Sequence, residues 1–546
     1  NSPVTSAGVV CNGMLALLFV GGTRFGTRAL INRPGHRNKE AVGIVGVGET
    51  ARQLASALNQ GTEFRPAAFF TPEHVADLSL IAALPVYKLG HAERVVRELG
   101  LKKILLALDD DSDGCRSSLQ RLQVLNQLES LSVPVQAVPS VSCLVSGRVR
   151  VSDIRDLDVE DLLGREAVSI QHAQVEPAIA GRAVLVTGAG GSIGSELCRQ
   201  ILRQKPRKLV LFEQSEYALY QLERELRQLD SSPIETEIVP VLGSVLHRRR
   251  CSSVMSEHGI ELVYHAAAYK HVPLVEHNVI EGVQNNVFGT WYAAEAAIEA
   301  GVERFVLIST DKAVRPSNIM GASKRMAELV LQGLAMRQSD TVFTMVRFGN
   351  VLGSSGSVVP LFREQIREGG PVTVTHPDIC RYFMTIPEAA QLVLQAGNMA
   401  GGGEVFVLDM GEPVKIADLA RKMIHLMGLT ERTLSNPGGD IEVVFTGLRP
   451  GEKLFEELLI GNDPQGTVHP RIMMAREHAE PWHQVAEMLE QLSRASREFD
   501  HERIVYLLYH APLGYQPQQL PSLSEPRSGV EASNVRPFKF GGDKAR

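Results

Sequence analysis

Ser309-Thr310-Asp311-Lys312 sets two hydroxyls, a carboxylate and an ammonium side by side, directly after the apolar run Arg304 to Ile308. These are groups of proton transfer. A buried carboxyl rises from a pKa of about 3.9 toward the range of a proton donor, and a buried lysine falls from about 10.4 toward that of a base. Their mutual attraction opposes both shifts, so the pair works when a substrate separates them or a proton passes between them. Farther along, Met320-Gly321-Ala322-Ser323-Lys324 puts an apolar side chain one helical turn before a second lysine. Taken alone, Asp311 and Lys312 also suit a helix cap and a solvated lysine, and Met320 suits core packing.

The elements that must hold these residues begin upstream. Ala183 to Thr187 reads as a buried strand, followed by Gly188-Ala189-Gly190-Gly191-Ser192-Ile193-Gly194 and a helix from near Ser195. In this G-x-x-G-x-x-G pattern Gly188 permits the tight turn, Gly191 lets the backbone approach a pyrophosphate, and Gly194 lets helix and strand pack closely. The helix N-terminus then faces the phosphates, with Ser192 and Ile193 in the same turn. The next strand, Lys208 to Phe212, ends at Glu213, where an acid accepts both ribose hydroxyls of NAD and repels the 2′-phosphate of NADP. Val239 to Val245 reads as a further strand and its end, which carries Ser244 and Val245. Leu262 to His265 runs into Ala266, Ala267 and Ala268, small residues over which a dinucleotide can pass, and then to Tyr269 and Lys270. Asn286 follows on a helix.

A weaker version of the same opening occurs earlier, at Val42 to Val45, Gly46-Val47-Gly48-Glu49-Thr50-Ala51 and a helix through Leu54 and Leu58. No ribose-binding acid follows it. A parallel-sheet packing or regulatory domain that uses the turn for backbone reasons is the favoured reading, ahead of nucleotide binding.

With 546 residues, 44% of them hydrophobic, the chain is long enough for several cores. A net charge of -6 offers no basic footprint, so no nucleic-acid partner is expected. The six cysteines show no C-x-x-C spacing, which argues against a metal site or a disulfide framework. The chain opens at Asn1 and enters an apolar stretch, Gly8 to Val20, followed by Arg24, Arg28, Arg33, Arg37 and Lys39. That pattern reads as the remnant of a membrane anchor with its cytoplasmic flank.

From about Gly181 to Gly461 the chain resembles the large nucleotide-sugar 4,6-dehydratases of bacterial polysaccharide and protein-glycan biosynthesis, within the extended short-chain dehydrogenase superfamily. The resemblance is carried by the Gly188 to Gly194 turn, His265 to Glu276, Asn285 to Thr290, Ser309 to Val314, Met320 to Arg325, Arg347 to Val358, Arg381 to Thr385 and Gly447 to Leu458. In that superfamily a catalytic tyrosine stands where this chain has Met320, and an aspartate near adenine stands where it has Ser244.

The resemblance implies an α/β fold with two Rossmann-like, doubly wound parallel-sheet domains, the second an extended short-chain dehydrogenase fold with a C-terminal substrate-binding part. The expected divisions are 1–40 anchor remnant and flank, 41–145 N-terminal Rossmann-like domain, 146–180 connector, 181–511 NAD-binding catalytic domain and 512–546 disordered tail. The implied substrate is UDP-N-acetylglucosamine, dehydrated through internal hydride transfer from C4 to C6 by bound NAD.

Asp311 and Lys312 are the expected acid at C6 and base at C5, while Thr310 or Lys324 serves the C4 hydroxyl and Lys324 also holds the nicotinamide ribose. Lys270, Asn350, Arg381 and Arg449 are the expected substrate contacts, the arginines on the diphosphate. The resemblance also implies missing upstream transmembrane helices, a site of action at the cytoplasmic face of the bacterial inner membrane, and a homo-oligomer by analogy. A 4-epimerase on the same scaffold and a non-catalytic NAD-binding scaffold are the alternatives.

Overall fold

A computed structural model describes residues 39–72, 80–108, 123–125, 127–128, 131, 133–138, 155–156, 179–229, 236–354, 356–458, 464–475, 477 and 479–517. The anchor remnant, almost all of the 146–180 connector and the tail beyond 517 lie outside the described residues. The chain forms two compact units, 1–166 with 424–431 and 167–423 with 432–546.

The first unit contains β1 (Glu40–Val45), α1 (Glu49–Gln60), β2 (Phe64–Thr71), β3 (Leu80–Ile81), β4 (Leu84–Lys88), α2 (Ala92–Leu99), β5 (Lys103–Leu106), β6 (Val135–Ala137) and β7 (Arg155–Asp156). Its sheet runs β3-β4-β2-β1-β5-β6-β7, with the four interior pairings parallel and the two edge pairings antiparallel. Apolar residues at helical spacing, Ala51, Leu54, Ala55 and Leu58, seat α1. At the turn before it, Gly46 has φ 123°, and a Cβ there would stand 2.1 Å from the carbonyl oxygen of Ala107. The glycine thus answers a backbone demand. The edge strand β7 falls inside the stretch expected as connector, because a two-residue strand in an acidic run leaves no apolar alternation to read.

The second unit is wound on β8 (Ala183–Thr187), α3 (Ser192–Arg203), β9 (Lys208–Glu213), α4 (Glu216–Leu229), β10 (Glu237–Leu242), α5 (Arg248–Glu257), β11 (Leu262–His265), α6 (Val272–His277), α7 (Val279–Val283), α8 (Gly289–Ala300), β12 (Arg304–Ile308), α9 (Ile319–Arg337) and β13 (Val342–Arg347). Short ladders follow: β14 (Asn350–Val351) pairs with β17 (Phe383–Met384), β15 (Val372–Val374) with β20 (Val443–Phe445), and β16 (Cys380–Arg381) with β19 (Val414–Lys415). Helices α10 (Val358–Arg367) and α11 (Ile386–Met399), β18 (Val405–Leu408), β21 (Gln465–Gly466), β22 (Ile472–Ala475), α12 (Trp482–Arg497) and α13 (His501–His510) complete the unit.

Its sheet runs β10-β9-β8-β11-β12-β13-β18-β22-β21, parallel through β18. Strand order reverses at β8, the point where open α/β sheets bind ligands beyond their carboxyl ends. Alternate residues of each strand enter opposite cores. Leu185, Phe305, Leu307 and Phe343 join α8, α9, α12 and α13 on one face, and Val184, Val186, Val306 and Val346 join α3, α4 and α11 on the other. Helix α9 is buried from Ile319 to Leu334, since α12 and α13 cover the side turned away from the sheet.

Candidate active site

The turn after β8 leaves no room for side chains. Gly188 has φ 63°, and a Cβ there would lie 2.7 Å from Cα of Ala267; one on Gly194 would lie 2.1 Å from the Gly188 carbonyl oxygen. These glycines press the turn onto β11 and bring the α3 N-terminus, Ser192 and Ile193 to a cavity of about 730 Å³. A second cavity of about 280 Å³ adjoins Gly188, Gly191, Glu213, Ser244, Val245, Ala266, Ala267 and Ala268. Glu213 is fixed by three backbone N–H groups, with Gly190 donating to Oε2 at 3.0 Å and Gln214 and Ser215 to Oε1 at 2.9 Å each. A cradle that excludes any Cβ and a carboxylate held at the next strand end together suit an adenine dinucleotide.

Asn286 belongs elsewhere. It is fully buried and lines neither cavity; its amide bonds both the N–H and the carbonyl of Tyr269 and donates to Ser323 Oγ at 3.0 Å. It braces the Tyr269 loop against α9, and its neighbour Asn285 is the residue that lines the smaller cavity. The two lie in a single π-helical turn, Gln284–Phe288, which rotates successive side chains out of the α-helical register assumed from sequence.

The large cavity is also lined by Ser309, Thr310, Lys312, Met320, Lys324, Asn350 and Lys270. Strand β12 ends there, and Thr310 caps the following turn by accepting from the Lys312 N–H. Thr310 Oγ1 donates to Asp311 Oδ1 at 2.9 Å, and Lys312 Nζ donates to the same oxygen and to Asn350 Oδ1 at 3.0 Å each. Asp311 is 1% exposed, and its Oδ2 is buried without a hydrogen-bond partner among the described residues. Burial alone would lower the Lys312 pKa, but Asp311 and Glu456 more than offset it and hold the ammonium above the usual lysine range. Lys324 differs: burial pulls it down to about 8 against the opposing charge of Glu328, and its Nζ donates to the Ile308 carbonyl at 2.7 Å. Met320 lies 3% exposed on the first turn of α9 and contributes only an apolar wall.

Arg381 and Arg449 line neither cavity. Arg381 is 7% exposed and is committed to the Cys380 carbonyl at 2.7 Å and to Glu452 at 3.2 Å, while Arg449 is exposed. The Pro-Gly turn that carries Arg449 serves a different end. The Gly451 carbonyl accepts from Ser317 Oγ and Asn318 Nδ2, and Lys453 Nζ donates to the Val314 carbonyl, so the turn clasps the loop after Lys312. An exposed arginine in a Pro-Gly turn looks the same in sequence whether it meets a phosphate or solvent.

The family model described as polysaccharide biosynthesis protein matches residues 184–477, which spans both cavities. The chain belongs to the polysaccharide biosynthesis protein family. The capsular polysaccharide biosynthesis protein CapD of Staphylococcus aureus is 43% identical over 465 residues, 84% of this chain and 74% of that protein. An inverting UDP-N-acetylglucosamine 4,6-dehydratase of Campylobacter jejuni (serotype O:2) is 30% identical over 284 residues, 51% of this chain and 78% of its own. A UDP-glucose 4-epimerase of Rickettsia canadensis is 32% identical over 288 residues, 52% of this chain and 79% of that enzyme.

In this family member, beneath the site, lies a buried ionic network that the sequence analysis did not anticipate. Ser309 Oγ donates to Glu328 at 2.6 Å, Arg347 forks onto Glu328 and Glu477, and Arg325 reaches both acids. The i,i+3 spacing of Arg325 and Glu328 on one helix was available as a signal. Nothing local pairs Glu328 with Arg347 on the neighbouring strand. The network fixes the end of β12 and so the position of Thr310 and Asp311.

Proposed function

We propose that this chain is a nucleotide-sugar 4,6-dehydratase that uses bound NAD to convert UDP-N-acetylglucosamine to a UDP-4-keto-6-deoxy sugar. The observation that carries the reading is that Thr310 and Lys312 line the same cavity as the dinucleotide-type turn, while the buried Asp311 is hydrogen-bonded to both. The Campylobacter relative, named as a UDP-N-acetylglucosamine 4,6-dehydratase, supports the substrate. NAD would be held by the Gly188 to Gly194 turn, Glu213 and Lys324, and would supply a hydride acceptor for C4 and a hydride donor for C6 without an external oxidant.

The chain's own residues then supply the proton steps. Thr310 passes the C4 hydroxyl proton to Asp311, along the hydrogen bond already present. Once C4 is a ketone the C5 proton is acidic, and Lys312 removes it. Asp311 delivers its proton to the C6 hydroxyl, which leaves as water, and Lys312 returns a proton to C5. The proton taken at C4 thus departs in the water. Met320 cannot ionise and takes no part.

A 4-epimerase, the activity named for the Rickettsia relative, needs acid–base help at C4 alone and would leave Asp311 and Lys312 without a task at C5 and C6. A non-catalytic scaffold would retain NAD and turn nothing over. For location, the Gly8 to Val20 stretch with its arginine flank supports the cytoplasmic face of the bacterial inner membrane; no helix among the described residues is long and apolar enough to cross one.

The test is incubation with UDP-N-acetylglucosamine in deuterated water without added cofactor, followed by NMR and mass spectrometry. A 4-keto-6-deoxy product lighter by one water and carrying deuterium at C5 is expected. A C4 epimer alone would sink the dehydratase reading, and unchanged sugar would leave another nucleotide sugar or the scaffold.

A further inference from the structure

Lys312 has a second carboxyl beside it that the proton scheme does not use. Glu456 Oε1 lies 3.8 Å from Lys312 Nζ and 3.9 Å from Arg381 Nε, with its side chain 4% exposed. Its Oε2 is buried with no hydrogen-bond partner among the described residues, as is Asp311 Oδ2. One ammonium therefore sits between two buried acids, each with one oxygen uncommitted. Glu456 is carried there by the clasp from Gly451 to Lys453, which fixes the segment against the loop following Lys312.

We propose that Glu456 is a positioning residue of this site, a second carboxyl that shares the Lys312 ammonium with Asp311 and takes its proton when the amine is needed as a base. The inference rests on the dehydratase reading for its purpose, and on geometry for its existence. In the scheme above, Asp311 becomes protonated by the C4 proton before Lys312 must act at C5, so the ammonium needs a different place to put its proton. Transfer from Lys312 to the Glu456 carboxylate leaves a neutral amine and a neutral acid, with no change in net charge. Reversal after C5 is reprotonated restores the resting state.

The charged groups facing Glu456 are consistent with that exchange. Burial raises its pKa and the Asp311 charge raises it further, against the opposing charges of Lys312, Arg381 and Lys453, and the net result is a carboxyl that holds protons more readily than an ordinary glutamate. Arg381 gains a role from this. Bonded to Glu452 and close to Glu456, it keeps the second acid from drawing fully onto Lys312.

Competitive labelling of Lys312 with acetic anhydride across a pH series, read by peptide mass spectrometry, reports the titration of this amine in the full chain without substrate. In Glu456→Gln the midpoint should move down by about one pH unit, because a neutral amide no longer stabilises the ammonium. Turnover of UDP-N-acetylglucosamine should fall at least about tenfold, with KM within about twofold. Glu456→Asp, which keeps a carboxyl, should shift the midpoint less and recover part of the turnover. A midpoint that is the same in wild type, Glu456→Gln and Glu456→Asp overturns the proposal. A C4 epimer as the sole product of the wild-type chain would overturn the dehydratase reading instead, and the labelling result would still decide whether Glu456 governs Lys312.

Discussion

Thr310 Oγ1 donates to Asp311 Oδ1 across 2.9 Å, which couples a hydroxyl facing the large cavity to a carboxylate 1% exposed behind it. A proton accepted by Thr310 thus has a direct route to Asp311, and Asp311 needs no contact with bulk water to become an acid. Thr310→Val cuts that route while preserving shape. We expect a loss of about 10²-fold in turnover, with Thr310→Ser close to wild type, measured by steady-state kinetics on UDP-N-acetylglucosamine.

Asp311→Asn removes the acid and keeps the hydrogen-bonding outline. Turnover should fall by about 10²–10⁴-fold while NAD stays bound, as judged by cofactor content after purification. If the amide variant turned over normally, Asp311 would have no part in expelling water from C6.

Lys324 gives a pH signature in stability. Its pKa in the folded chain is about 8, below the ordinary 10.5, because burial disfavours the ammonium. Between those values the unfolded chain binds more protons, so stability rises with pH through that window, and the full cost of the buried charge is present below pH 8. From pH 7.5 to 10 the wild type should gain about 2 kcal/mol relative to Lys324→Met in urea unfolding. Equal slopes for the two proteins would refute the shift.

Breaking the network under β12 should be costly. Arg347 and Glu328 are both fully buried, and although burial would raise the Glu328 pKa, Arg347, Arg325 and Ser309 hold it down to about 2. Arg347→Met leaves two buried acids, Glu328 and Glu477, with Arg325 as their shared cation. A loss of about 3–5 kcal/mol in unfolding free energy is expected, with turnover reduced at temperatures where the chain still folds.

Gly194→Ala puts a Cβ 2.1 Å from the Gly188 carbonyl oxygen, and backbone on both sides resists movement. Thermal unfolding should show a destabilisation of about 1–3 kcal/mol, and the stabilisation normally added by NAD should shrink.

Much of the site was legible because the chemistry is local. A glycine turn between a strand and a helix, an acid at the next strand end, and Thr310-Asp311-Lys312 after an apolar run each lie within a few residues, and the backbone alone keeps such neighbours together. Asn285 and Asn286 show the limit of that logic, since the π-helical turn that holds both puts Asn285, and not the expected Asn286, at the smaller cavity. Arg381 and Arg449 show another: a phosphate-binding arginine and a buried or solvated one share the same letters, and only the surrounding surface tells them apart.

The sequence by itself determined the α/β class, the dinucleotide-type turn with its Glu213 partner, an apolar side chain at Met320 and the adjacency of a carboxylate and an ammonium at residues 311 and 312. Tertiary structure alone decided that Glu456 stands beside Lys312, that Arg347 neutralises Glu328 beneath Ser309, that burial lowers the Lys324 pKa to about 8, and that α12 and α13 pack on α9. The reason is physical. Burial and long-range charge pairing depend on which distant segments the packing of two cores brings together, and no spacing along the chain encodes a distance between residues 312 and 456.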